Sequence, residues 1–72
     1  MFRFFYFRYS TGYVRDCNSY AEAERLWEVG NKSVGIYPIC ISDKSDIIKI
    51  NDQFNGKTER LAKMMKEAKQ DQ

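Results

Sequence analysis

The chain is expected to fold as an α+β domain, a two-layer sandwich in which an antiparallel sheet of three or four strands, in ββαββα order, carries two helices on one face. Three observations predict it. The opening "FRFFYFRY" and "YVRDC" flank the turn-forming "STG", which is the pattern of a hairpin. "NSYAEAERLWEVGN" and "KTERLAKMMKEAKQ" carry apolar residues at helical spacing. Between them "SVGIYPICI" and "IIKI" are β-rich and are separated by the polar turn "SDKSD".

In the first hairpin, Gly12 stands where a three-residue loop wants a left-handed residue, so strand one covers residues 2–9 and strand two begins at Tyr13. The first helix has the most specific local signal. Ser19 followed three positions later by Glu22 is a capping box, and Gly30 is placed to end a helix over residues 20–29 in a left-handed conformation. Its inward stripe is Tyr20, Ala23, Leu26 and Trp27. Strands over residues 33–41 and 46–50 make the second hairpin. Pro38 has no amide hydrogen for a ladder, which places it on an edge strand or at a bulge. The second helix presents Leu61, Met64, Met65 and Ala68, with Thr58 as N-cap and fraying expected over residues 69–72.

Nothing divides the 72 residues, so residues 1–72 read as one small domain with a thin core. Aromatic side chains are the natural remedy, and eight of the eleven lie within residues 2–20. Cys17 and Cys40 form no CxxC pair and the chain contains no His. No metal or cofactor is therefore expected, and both cysteines read as buried thiols. The longest apolar run, "VGIYPICI", is far short of a membrane span, and Arg3 and Arg8 break the N-terminal run where a signal peptide would be continuous. A cytoplasmic protein with no membrane partner is the expectation.

Charge is uneven along the chain. Residues 1–15 carry +3, residues 16–56 carry −3 and residues 57–72 carry +2. Catalysis is not expected, because there is no His to act as base, no glycine-rich phosphate loop and no partner to activate either thiol. Asp43 and Asp46 fall inside the "SDKSD" turn, where backbone hydrogen bonding accounts for them.

Strand one raises the functional question, since Phe2, Phe4, Tyr6 and Arg8 alternate with Arg3, Phe5, Phe7 and Tyr9 and both sides are aromatic. Helices on one face can bury only one of these sides, so the other needs cover from another chain, a stacked base or the tail of this chain, unless the strand is simply central and its aromatics compensate for a small core. With Phe5 and Phe7 assigned to the core, Phe4, Tyr6 and Arg8 form the open face. The resulting expectation is a non-enzymatic binding module that contacts a partner protein or a second copy of itself through Phe4, Tyr6, Arg8 and Arg15, with the edge near Pro38 as second choice. The alternative is a nucleic-acid interface of Arg3, Arg8, Arg15, Lys63 and Lys66. The RNA-recognition signature itself fails, with Phe4, Tyr6 and Arg8 standing where glycine, a small residue and an apolar one belong. Small size and abundant Lys, Ile, Asn and Tyr fit an accessory protein of bacterial or phage origin, within which an enzyme inhibitor would also fall.

Overall fold

Aromatic rings on both sides of the first strand need cover on both sides, and the chain supplies it by placing one helix on each face of a central sheet. A computed structural model describes residues 1–71. The elements are β1 (Phe2–Arg8), β2 (Thr11–Cys17), α1 (Tyr20–Asn31), β3 (Ile36–Asp43), β4 (Asp46–Ile50), a single 3-10 turn at Asp52–Phe54, α2 (Thr58–Glu67) and β5 (Lys69–Gln70). They form a five-stranded sheet in the order β4-β3-β1-β2-β5. All pairings are antiparallel except β2 with β5, which is parallel.

The α+β class is as expected, and the two-layer arrangement is not. The sheet is mixed and has five strands, and the helices lie on opposite faces. Under α1, Phe4, Tyr6, Cys17 and Ile41 pack with Ala23 and Trp27, and Phe2, Tyr13, Tyr20, Leu26 and Ile36 border them. Under α2, Phe5, Val14, Ile39 and Cys40 pack with Phe54, Leu61 and Met64, bordered by Phe7, Ile50, Met65 and Ala68. Consecutive residues of β1 thus serve different cores, as the two-residue period of a strand requires. Both apolar helix stripes predicted from spacing meet the sheet.

Local chemistry explains most boundaries. The Ser19 hydroxyl accepts from the Glu22 amide at 3.2 Å, while the Glu22 carboxylate accepts from the Asn18 amide at 3.3 Å, one residue earlier than in the usual capping box. Gly30 does not end α1, which continues to Asn31. Its role is spatial, because a Cβ there would stand 2.9 Å from Ile36 Cγ2 and 3.3 Å from Pro38 Cγ. The left-handed residue beyond the helix is Gly35, at φ 85°. Thr58 is the first helical residue of α2 and not its cap.

The first hairpin turns in two residues. Arg8 pairs with Thr11, so Arg15 faces Phe4, and Gly12 lies within β2. Tyr9 takes the left-handed conformation at φ 56° and its amide donates to the Gly35 carbonyl at 2.7 Å. Residues 69–71, over which fraying is expected, lie along β2. Lys69 and Gln70 pair with Tyr13 and Val14, and the Asp71 amide donates to the Val14 carbonyl at 2.8 Å. Gln72 lies outside the described residues.

Candidate functional site

The face expected to be open is closed. Phe4 and Tyr6 are 3% and 4% exposed, because α1 covers them. Phe4 packs against Trp27 and stacks on Tyr6, and Tyr6 stacks in turn on Tyr13. Phe4 and Tyr6 therefore belong to the core, and the assignment of one β1 face to a partner is corrected. Pro38 is corrected too. It is buried in β3, the second strand from the edge, and pairs with Tyr6 beside a bulge that leaves Ile39 without an opposite number on β1. Of the two positions open to a strand proline, the bulge is the one taken. The Asn51 side-chain amide donates to the Pro38 carbonyl at 2.9 Å.

Around the far end of Tyr6 the polar side chains gather. The Arg8 guanidinium lies 5.0 Å from the Tyr13 ring centroid and 3.6 Å from the Asp71 carboxylate. The Tyr6 hydroxyl donates to the same Asp71 oxygen, Oδ2. Burial and this carboxylate push the Tyr6 hydroxyl up to about 12, against the opposing pull of Arg8 and Arg15. Arg15 lines the cleft, of about 160 Å³, beside Tyr6, Arg8 and Asp71. Among the described residues Arg15 makes no ion pair. Of the residues singled out for partner contact, Tyr6, Arg8 and Arg15 are thus brought together, and Phe4 contributes one wall. Asp71 was missed in the sequence, where the only hint was an isolated acid following the basic last helix.

The residues singled out for nucleic acid do not converge. Arg8 and Arg15 stand at the α1 side. Lys63 lies at the α2 side, where with Arg60 it lines a cleft of about 370 Å³ against Phe7 and Gly12. Arg3 is paired with Asp16 at 3.3 Å, and Lys66 is exposed on α2. Arg8 and Arg15 are thus separated from Lys63 by the sheet between the helices.

A second surface lies along β4, an outer strand of the sheet. Its inner side pairs with β3, through a second bulge at Ile48, and its outer side has no partner strand among the described residues. Ile47 and Ile48 are 39% and 45% exposed. Lys49 holds its ammonium 5.1 Å from the Trp27 ring centroid, on the α1 side. Elsewhere Val34 and Tyr9 are the most exposed large apolar side chains, at the end where the Tyr9 ring lies over Gly35.

Cys17 and Cys40 are both free and buried, one in each core cluster. Burial raises both thiols, Cys40 to about 12. Among the described residues no group of three or more His, Cys, Asp or Glu is placed to hold a metal ion, and no helix is long and apolar enough to cross a membrane. Neither the protein-family models, nor the curated proteins, nor the solved structures contain a match to this chain.

Proposed function

We propose that the protein is a small non-enzymatic binding module that acts through protein–protein contact, by strand addition at β4, and that a second copy of the chain is its first partner. One observation carries this reading. β4 is an outer strand with two adjacent, part-exposed isoleucines and, among the described residues, no partner strand for its outward backbone groups. Such edges template pairing with another chain unless charge, a bulge or a covering segment prevents it. The bulge at Ile48 and the charge of Lys49 blunt this edge in part and leave the isoleucines accessible.

Self-pairing is favoured by the charges. The register with β3 puts Asp46 opposite Asp43 and Lys49 opposite Ile41, which share one face of the sheet. An antiparallel second copy centred between Ile47 and Ile48 would then set Asp46 of each strand against Lys49 of the other, with isoleucines meeting at the centre. Sedimentation equilibrium tests it. The wild type is expected to dimerise, and Ile48→Lys to be a monomer with an unchanged circular dichroism spectrum. A wild type that stays monomeric at its highest soluble concentration would remove the second copy as occupant.

Nucleic acid is the second reading, and the cleft of Arg60 and Lys63 beside the β1–β2 turn is what favours it. Anisotropy of labelled single-stranded and duplex oligonucleotides, at low and physiological salt, distinguishes the two. Binding that persists at physiological salt with a steep salt slope would support it.

A further inference from the structure

We propose that the cleft of Tyr6, Arg8 and Arg15 is a binding site for an aspartate carboxylate carried on an extended peptide, and that Asp71 occupies it as an internal competitor. The site is built, since Tyr6 is buried and directs its hydroxyl at the carboxylate, and the Arg8 guanidinium lies 3.6 Å from the same oxygen. Arg15 lines the cleft without an ion pair among the described residues, so the site holds more positive charge than one carboxylate neutralises. Charge-assisted hydrogen bonds of this kind select an anion strongly.

The occupant also shows the backbone geometry of a ligand. Asp71 arrives on β5, a parallel strand of only two residues, and its own amide donates to Val14 at 2.8 Å. Parallel pairing this short is weakly held. Asp71 follows Gln70 alongside Arg15, and beyond it Asp16 and Cys17 of β2 have no paired strand on the outer side among the described residues. A peptide that placed an acid where Asp71 sits and ran on along Asp16 and Cys17 would keep every contact of β5 and add new ones. Tail displacement would then open the β2 edge, at the opposite side of the sheet from β4.

The test uses the full chain and a fluorescein-labelled peptide Ala-Lys-Gln-Asp-Val-Thr-Val-Thr, read by anisotropy at low salt. Asp71→Asn removes the competing charge, and its side chain is partly exposed, so the fold should persist. This variant is expected to bind the probe about tenfold more tightly than wild type, because a site occupied most of the time by its own tail has its apparent affinity reduced by the fraction free. The gain should disappear when the probe aspartate is replaced by asparagine, and when Tyr6→Phe is added. Equal affinity of wild type and Asp71→Asn would overturn the proposal, as would a tenfold gain that survives loss of the probe carboxylate. A nitrogen–proton correlation spectrum of the wild type with excess probe is the second measurement. Shifts at Val14, Arg15 and Asp71 support the site. Their absence, or Asp71→Asn dimers that exchange tails without binding the probe, rejects it.

Discussion

At Tyr6 a single hydroxyl joins the first strand to the last, by donating to Asp71. Tyr6→Phe keeps the ring stack and removes that bond, so urea unfolding is expected to show a loss of about 1.5 kcal/mol, the size of a hydrogen bond to a charged group. Tyr6 and Cys40 together also set an alkaline limit. Each has a folded value raised to about 12, from ordinary values of 10.0 and 9.0. The folded state therefore holds protons that the unfolded chain releases. The stabilisation is complete below pH 9 and is lost as pH rises towards about 12. Urea midpoints should be level around neutral pH and fall above pH 9, and Cys40→Ala should make the fall shallower, leaving the parts due to Cys17, whose thiol burial also raises, and to Tyr6.

Among the elements, α1 shows how a helix preference yields to packing. Gly30→Ala would raise helix propensity by about 1 kcal/mol in an open helix. Here the new Cβ meets Ile36 Cγ2 at 2.9 Å and the rigid Pro38 ring at 3.3 Å. Overpacking of this kind costs about 1–3 kcal/mol. The substitution is therefore expected to destabilise by about 1 kcal/mol net, seen as a lower thermal midpoint. The β1–β2 turn depends on a distant glycine in the same way. A Cβ at Gly35 would fall 2.7 Å from the Tyr9 ring, and its φ of 85° already disfavours other residues. Gly35→Ala should loosen the hairpin end, measured as faster amide exchange at Tyr9.

For the whole molecule, β1 is shared by two cores, so neither can be lost alone. Trp27→Ala under α1 and Phe54→Ala under α2 should each cost about 3–5 kcal/mol. That is most of the stability of a domain this small, roughly 4–11 kcal/mol at ordinary values per residue. Each variant is expected to unfold in one transition, with near- and far-ultraviolet circular dichroism coincident. Separate transitions would show that the two faces fold independently.

What the sequence determined by itself was local. The capping box at Ser19 and Glu22, the stripe of Tyr20, Ala23, Leu26 and Trp27, and that of Leu61, Met64, Met65 and Ala68 all follow from spacing within a few residues, where hydrogen-bond reach and helix period suffice. The two-sided aromatic pattern of β1 was also legible, whereas the missing amide of Pro38 narrowed its place only to an edge or a bulge. Tertiary structure decided which face each helix covers, because apolar periodicity states that a face is buried and not by what. It also moved the first turn to Tyr9, through the space at Gly35, and brought Asp71 to Tyr6, 65 positions away in the chain. A contact of that separation leaves no periodic trace, so the arginines were visible in the sequence and the carboxylate that completes their cleft was not.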